Sequence, residues 1–301
     1  MTEMAPVEQA TTRVGFVGLG VMGTPMVTNI AASQRFDVSV YDVDSNRARE
    51  VARELDVAAE TQVEGLADRE VIVLMLPTSA IVRSVLLTED NALRIPLRPG
   101  TVIVDMSSSD PVETTETGAL LAQHGVDMID APVSGARERA AAGTLSIMLG
   151  ANDEAAAQKS IPVIETMSSR IFRTGALGSG HAMKALNNYV AAACFVASAE
   201  ALEAGTRFGL DPATVVEVLN ASTGQNFSSL NVFPEHIVKG AYATGFALPL
   251  ITKDVRIAAR LQQEVGHRAP VCDAVAEALG DALDELGNVD HSLAYEHWRK
   301  H

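Results

Sequence analysis

A lysine and an asparagine stand four residues apart in the segment HAMKALNNY, residues 181–189. Side chains at this spacing share one face of a helix, so Lys184 and Asn188 would lie side by side in a helical segment. A lysine ammonium can give a proton to a carbonyl that is being reduced, and the neutral amine can take one from an alcohol that is being oxidised. Asn188 could then hold the substrate and the amine in register. A solvated surface lysine explains Lys184 equally well, since most lysines are exposed.

A second candidate site is rich in glycine. Gly18, Gly20 and Gly23 form the pattern G-x-G-x-x-G directly after the apolar run RVGFV. In a dinucleotide-binding turn the first glycine permits a tight bend, the second lets a pyrophosphate approach the backbone, and the third allows close packing of helix on strand. We therefore predict cofactor contacts from these glycines and from the residues between them, which are Leu19, Val21 and Met22.

An acidic residue follows at the distance that such a site requires. Asp42 ends the segment FDVSVYD, about 20 residues after Gly23. Its carboxylate would accept hydrogen bonds from ribose hydroxyls and repel a 2′-phosphate, so NAD is predicted in preference to NADP. A solvated turn also explains DVDSN, and Arg47, one turn into the next helix, leaves NADP as the less favoured cofactor.

The elements that must position these residues alternate between strands and helices. Strands are predicted at residues 13–17, 36–41, 71–76, 101–106, 126–131, 144–150 and 169–175. Amphipathic helices are predicted at residues 45–57 and 111–125. This alternation is typical of an α/β fold with a Rossmann-type doubly wound sheet. Such sheets bind ligands at the carboxyl ends of their strands, which places Leu76, Pro77 and Ser107 near a nicotinamide.

Helical periodicity replaces this pattern after about residue 180. Residues 181–209 contain no proline and are long enough for one extended helix, and further helices are predicted at residues 211–222, 250–266 and 271–287. The sequence ALGSG marks the change in composition. We therefore predict an NAD-binding domain over residues 1–178, followed by an all-α C-terminal domain over residues 179–301 that begins with the long helix.

The bulk composition excludes several classes of function. The 301 residues carry a formal net charge of −15, which repels phosphate backbones and anionic membranes, so neither nucleic acid nor a membrane is an expected partner. Two cysteines, Cys194 and Cys272, lie in apolar helical patterns and predict neither a disulfide nor a metal site. The N-terminal twelve residues lack the basic and apolar regions of a signal peptide. These features predict a cytoplasmic location.

Five segments in order resemble the β-hydroxyacid dehydrogenase family, which includes 3-hydroxyisobutyrate dehydrogenase and tartronate semialdehyde reductase. The first is the glycine-rich segment, and the second, DMSSSDP, is similar to the family's D-x-S-T-x-x-P loop. The others are DAPVSGARERAAAGTLSIMLGA, GSGHAMKALNNY and FALPLITKDVRIA, which resemble D-A-P-V-S-G-G, G-x-G-x-x-x-K-x-x-N-N and F-x-x-x-L-x-x-K-D. The resemblance runs from residue 13 to about residue 260.

The resemblance implies a role for each matching residue. Lys184 would be the general acid and base, with Asn188 beside the substrate. Ser134 and Gly135 would bind a substrate carboxylate through a hydroxyl and backbone N–H groups. Lys253 would reach over the cofactor and supply positive charge. The family also implies a homodimer or homotetramer.

The chain departs from the family pattern beside the expected carboxylate site. Ala136 stands where the family has the second glycine of S-G-G, and Ser108 stands where it usually has threonine. The charged run Arg137-Glu138-Arg139 is either a solvated loop or, for Arg137, a reader of an anionic group at the far end of the substrate. Asn226, in the sequence STGQN, is a second candidate for substrate specificity.

We therefore expect an NAD-dependent oxidoreductase that interconverts a small anionic 3-hydroxy acid and its semialdehyde or keto acid. Two alternatives remain open from the sequence. Imine reductases resemble the family in fold and fingerprint but usually carry another residue at the position of Lys184. A dinucleotide-binding sensor without catalysis is the other alternative, and the intact Lys184 and Asn188 argue against it.

Overall fold

The computed structural model describes residues 11–300, which form two compact units. The first unit ends at His181 and the second begins at Ala182. The N-terminal twelve residues were predicted not to be a signal peptide; the first ten of them lie outside the described residues. Within the described part of the chain, no helix is both long and apolar enough to cross a membrane.

The first unit alternates strands and helices from its start. Its strands are β1 Thr12–Val17, β2 Phe36–Tyr41, β3 Ala58–Ala59, β4 Val71–Leu74, β5 Val102–Asp105, β6 Asp127–Asp130, β7 Val133–Ser134, β8 Leu145–Ala151 and β9 Ser168–Gly175. Its helices are α1 Gly23–Ala32, α2 Ser45–Leu55, α3 Ser79–Leu86, α4 Pro111–Ala122, α5 Ala136–Ala141 and α6 Glu154–Ile164. A 3₁₀ turn occupies Val63–Leu66.

The strands form one sheet in the order β3-β2-β1-β4-β5-β6-β8-β7, with β9 paired to β8. Strands β1 to β6 run parallel, whereas β8 pairs antiparallel with β6 and β7. The chain leaves β1 towards β2 on one side and returns to β4 on the other, so the strand order reverses between β1 and β4. Doubly wound sheets bind their ligands at such a switch point.

Alternate residues of the central strands enter two different hydrophobic clusters. Val71 and Val73 of β4 pack in one cluster, while Ile72 and Leu74 pack in the other. Both faces of the sheet are therefore covered, which explains why the sequence VIVLML is apolar throughout rather than alternating. The predicted doubly wound sheet is confirmed.

The second unit is helical. Helix α7, Ser179–Phe208, crosses from the first unit as the single long helix that the sequence predicts. The remaining helices are α8 Pro212–Ala221, α9 Phe227–Asn231, α10 Leu248–Glu264, α11 Pro270–Leu286 and α12 Ala294–Trp298. A π-helical turn at Phe233–Val238 and a 3₁₀ turn at His291–Leu293 complete the unit. Its core includes Phe195 of α7 and Phe233, whose rings meet edge to face with centroids 5.6 Å apart.

Candidate active site

Two glycines of the glycine-rich turn are required by the fold itself. Gly18 has φ +96°, and a Cβ on it would lie 2.3 Å from the carbonyl oxygen of Met75. A Cβ on Gly23 would lie 1.9 Å from the carbonyl oxygen of Gly18. Contacts this short are not tolerated in folded proteins, so the first and third glycines let β1 turn tightly into α1.

Gly20 differs because no contact in the described part of the chain requires a glycine there. No heavy atom of residues 11–300 lies within 4 Å of the position that its Cβ would take, and its φ is not positive. The residue is exposed between β1 and the N-terminus of α1. The positive end of a helix attracts phosphate, and a missing side chain there lets a pyrophosphate approach the backbone. The turn therefore fits the pyrophosphate of a dinucleotide.

Asp42 lies against this turn. Its carboxylate accepts hydrogen bonds from the backbone N–H of Leu19 at 2.7 Å and from that of Asp44 at 2.9 Å. The neighbouring Val43 is 92% exposed. A carboxylate beside an exposed apolar side chain, next to the glycine turn, suits an adenosine ribose and its base.

Arg47 also reaches the glycine-rich turn, which the sequence did not predict. From α2 its guanidinium donates to the carbonyl oxygen of Leu19 at 3.3 Å and to Oγ1 of Thr24 at 2.9 Å. Although Arg47 lies in the first turn of α2, its side chain is long enough to reach the same glycine-rich turn that Asp42 contacts. A cation and a carboxylate thus both border the expected ribose position.

The ends of β4 and β5 are joined by one hydroxyl. The backbone N–H of Leu76 donates to Oγ of Ser107 at 2.9 Å, and the N–H of Ser107 donates to Asp105 at 3.0 Å. Ser107 is fully buried, whereas Pro77 is exposed. The structure therefore brings Leu76 and Ser107 together at the carboxyl edge of the sheet, where the sequence places the nicotinamide.

The loop after β6 carries the residues expected to bind a carboxylate. Ser134 is half-buried at the end of β7, and Gly135 has φ +143° directly before α5. Arg139 folds back on its own loop, because its Nε donates to the carbonyl oxygen of Thr144 at 3.0 Å. Arg137 is exposed, as a side chain that meets a ligand from solvent must be.

Ala136 carries a backbone conformation that belongs to glycine. Its φ is +55°, in the left-handed region that costs an L-residue about 1–2 kcal/mol. We expect Ala136→Gly to stabilise the protein by about 0.5–1 kcal/mol, because glycine adopts this conformation without strain. Chemical denaturation measures the gain. The matched control is Ala141→Gly at the end of α5, where glycine should destabilise, and loss of stability in both variants would contradict the account.

In the second unit Asp254 ties two predicted site residues together. Asp254 lies on α10 and is 3% exposed. Its Oδ2 accepts a hydrogen bond from Nδ2 of Asn188 at 2.6 Å, and its Oδ1 lies 3.2 Å from Nζ of Lys253. The sequence includes Asp254 in a family motif, but its side chain was not predicted to belong to the site. Only the packing of α10 on α7 reveals it.

Lys184 is half-buried one helical turn before Asn188. Burial lowers the pKa of Lys184 below that of an ordinary lysine, and the charge of Lys253 lowers it further, while the carboxylate of Asp254 opposes both. A lysine in this environment exchanges its proton more readily near neutral pH than a solvated one. These surroundings suit a general acid and base, and that role of Lys184 stays a prediction.

Asn226 has a structural task that the sequence did not predict. It is the N-cap of α9, where its Oδ1 accepts from the N–H of Ser229 at 3.0 Å. Its Nδ2 donates to Oγ of Ser198 at 3.1 Å and to the carbonyl oxygen of Gly224 at 3.0 Å. These bonds use both N–H groups and one lone pair of the amide oxygen, and the role of Asn226 in substrate specificity stays a prediction.

Known proteins share this arrangement over nearly the whole chain. A family model described as the NAD binding domain of 6-phosphogluconate dehydrogenase matches residues 13–175. A second, described as NAD-binding of NADP-dependent 3-hydroxyisobutyrate dehydrogenase, matches residues 178–298. The 2-(hydroxymethyl)glutarate dehydrogenase of Eubacterium barkeri is 34% identical over 96% of this chain and 95% of its own length. The chain belongs to the β-hydroxyacid dehydrogenase family.

Solved structures agree with this membership. A 3-hydroxyisobutyrate dehydrogenase of Mycobacterium tuberculosis, solved with L-serine, has a TM-score of 0.85 and 30% identity, covering 96% of this chain and 99% of its own. An imine reductase from Pseudomonas sp. has a TM-score of 0.61 but only 14% identity, over 97% of this chain and 100% of its own. It shares the fold alone. The family's enzyme class is an NAD(P)-dependent oxidoreductase acting on CH–OH groups, which confirms the predicted enzyme and cofactor.

Proposed function

We propose that this enzyme reversibly oxidises a short 3-hydroxy acid with NAD, and that Lys184 moves the hydroxyl proton. The observation that carries the proposal is the environment of Lys184, a half-buried amine with a lowered pKa on the same helix face as Asn188. A structural or surface lysine needs neither burial nor a buried carboxylate nearby. The glycine-rich turn, which fits the pyrophosphate of a dinucleotide, is consistent with the NAD that this reaction needs.

The residues divide the chemistry between them. In oxidation the neutral amine of Lys184 accepts the hydroxyl proton as the C–H bond breaks, and in reduction its ammonium returns that proton. The glycine-rich turn and Asp42 would hold the dinucleotide, which would supply the hydride acceptor for oxidation and the hydride donor for reduction. Asn188 commits one N–H to Asp254, which fixes its amide and leaves its other N–H for the substrate oxygen. Ser134 and the backbone N–H groups around Gly135 bind the substrate carboxylate.

The segment after β6 that carries Ser134 and Arg137 supports a particular class of substrate. Ser134 provides for one carboxylate, and the exposed Arg137 provides for a second anionic group at the other end of the molecule. The relative from Eubacterium barkeri is named for 2-(hydroxymethyl)glutarate, which carries two carboxylates. We propose that acids with two anionic groups react faster than hydroxyisobutyrate or serine.

A substrate panel tests the proposed function. NADH formation is followed with single-carboxylate and dicarboxylate 3-hydroxy acids, each with NAD and with NADP. The proposal expects turnover with NAD and higher kcat/KM for the dicarboxylates. Turnover of single-carboxylate acids alone would remove the role of Arg137. The absence of turnover on every acid, with NAD binding intact, would refute the function itself.

The carboxylate of Asp42 should set the cofactor preference. We expect Asp42→Asn to lower kcat/KM with NAD by about 10- to 100-fold, because hydrogen bonds to a charged group contribute about 1.5–3 kcal/mol. The ratio of NAD to NADP efficiency should fall as well, since the repulsion of a 2′-phosphate is lost and Arg47 remains. Initial rates with both cofactors measure the change.

Asp44 offers a matched control for that experiment. Its carboxylate caps α2 by accepting from the backbone N–H of Asn46 at 2.9 Å, so Asp44→Asn removes the same charge two residues away. This variant should cost some stability but leave the ratio of NAD to NADP efficiency close to that of wild type. An equal change of cofactor preference in both variants would show that general charge, not the position of Asp42, selects NAD.

The expected homodimer or homotetramer and the cytoplasmic location stay predictions.

A further inference from the structure

A histidine and two aspartates are buried together in the first unit, outside the residues assigned so far. His181, in the first turn of α7, has a fully buried side chain. Its Nε2 lies 3.8 Å from Oδ2 of Asp105, and its Nδ1 lies 3.7 Å from Oδ2 of Asp130. Both carboxylates are also fully buried. Buried ionisable groups are costly, so a cluster of three is kept for a reason.

Asp130 caps the start of α7 from the end of β6. Its two carboxylate oxygens accept the backbone N–H groups of Gly178 at 2.8 Å and of His181 at 2.7 Å. A Cβ on Gly180 would lie 2.9 Å from this carboxylate and 2.2 Å from the carbonyl oxygen of Met148. Gly180 thus makes room for an internal carboxylate, whereas a Cβ on Gly178 would lie 2.9 Å from the carbonyl oxygen of Pro111.

The pKa of Asp130 reflects this position. Burial raises the pKa of Asp130 above its ordinary value, and Asp105 raises it further, while the His181 ring and the two backbone amides oppose the rise. The helix N-terminus and the histidine are therefore what stabilise a carboxylate in this interior.

The ring of His181 connects α7 to two further elements. Its Nε2 lies 3.1 Å from the carbonyl oxygen of Ser107, and because a carbonyl only accepts, Nε2 carries a proton. Its Nδ1 lies 2.9 Å from Oγ1 of Thr114 on α4. Ser107 in turn accepts the N–H of Leu76. The ring therefore links the first turn of α7 to α4 and to the end of β5, while the backbone N–H of His181 binds Asp130 at the end of β6.

We propose that His181 is a positioning residue for the reaction, holding the first turn of α7 in place so that Lys184, three residues later, is correctly oriented. The inference rests on the proposed role of Lys184. Three residues is just under one helical turn, so a shift at His181 moves the backbone of Lys184 with it. A misplacement of about 1 Å can lower an enzymatic rate by about 10²-fold.

Two variants of His181 separate positioning from packing. His181→Gln keeps an N–H near the position of Nε2 and can still donate to Ser107, whereas His181→Leu fills similar space without a donor. Each is compared with wild type for kcat, for KM of the hydroxy acid, for NAD affinity by fluorescence titration, and for hydrogen exchange of the backbone amides of residues 178–184. Thr114→Val is a third variant; it removes the hydroxyl next to Nδ1, together with its hydrogen bond to the carbonyl oxygen of Asp110.

The expected pattern is specific. His181→Leu should lower kcat by about 10²-fold, with NAD affinity close to wild type and faster exchange in the first turn of α7. His181→Gln should retain most of kcat, and Thr114→Val should show a smaller loss. Wild-type kcat in His181→Leu, or a loss that follows only the fraction of unfolded protein, would overturn the proposal.

The design keeps this inference separate from the proposed function. If wild type turns over and His181→Leu does not, both stand; if both turn over equally, only the positioning role fails. If wild type shows no turnover on any hydroxy acid, the proposed function fails and the positioning role for that reaction falls with it. Hydrogen exchange then still reports whether His181 orders α7.

Discussion

Lys184→Met is expected to lower kcat by about 10²–10⁴-fold, which is the usual contribution of general acid–base catalysis. Methionine keeps the length and the apolar stem of lysine, so the packing of α7 should survive the change. NAD affinity should stay close to wild type, because Lys184 is not among the predicted cofactor residues, which belong to the glycine-rich turn, to the ends of β2, β4 and β5, and, for Lys253, to α10. Steady-state rates and a fluorescence titration with NAD measure the two quantities separately.

Lys239→Met is the matched control for this variant. Lys239 is 67% exposed and pairs with Glu235 on the surface of the second unit, so it loses the same charge where no chemistry is expected. Its kcat should equal that of wild type, since exposed ion pairs contribute little. A Lys184→Met enzyme that keeps wild-type kcat would refute the assignment of the acid and base.

The second large effect concerns the glycine-rich turn. Gly20→Val should weaken NAD binding by at least about 10- to 100-fold, because the side chain would hold the pyrophosphate away from backbone N–H groups worth about 1.5–3 kcal/mol each. The melting temperature should hardly change, since no heavy atom of the residues that the structure describes lies within 4 Å of the added Cβ. Calorimetric titration with NAD and thermal unfolding measure both effects.

Gly23→Ala serves as the comparison, because it should lower the melting temperature, which Gly20→Val should hardly change. Its Cβ would lie 1.9 Å from the carbonyl oxygen of Gly18, and overpacking of this kind typically costs about 1–3 kcal/mol. That loss lowers the melting temperature by several degrees in a domain of this size. If Gly20→Val instead lowers the melting temperature while the folded protein still binds NAD with wild-type affinity, the glycine serves the fold and the proposed pyrophosphate contact is wrong.

The sequence predicted most of the elements because their signals are local. A continuous apolar run is typical of β4, and the lack of proline over residues 181–209 predicted α7 as one helix. The predicted strand at residues 71–76 extends two residues beyond β4, which ends at Leu74. Met75 still donates its N–H to the carbonyl oxygen of Val17 at 2.9 Å, whereas the N–H of Leu76 turns to the Ser107 hydroxyl near the expected nicotinamide.

The sequence could not predict the polar contacts that organise the candidate site. Asp254 reaches Asn188 only because α10 packs on α7, and Asp130 reaches the start of α7 across 51 positions of the chain. Asn226 illustrates the same limit for a local contact. Its side chain caps α9 together with Ser229, and the sequence spacing did not distinguish this capping role from a contact with substrate. Tertiary packing, not residue type, decides which polar groups meet.

The pH dependence of hydroxy-acid oxidation, measured as kcat/KM for wild type and Lys184→Met, tests the central claim most directly. Oxidation needs the neutral amine, so the wild-type rate should rise with pH through an apparent pKa below that of an ordinary lysine, as the burial of Lys184 requires. Lys184→Met should lack this rise and react slowly at every pH. The same rise in both proteins would show that another group takes the proton and would contradict the account.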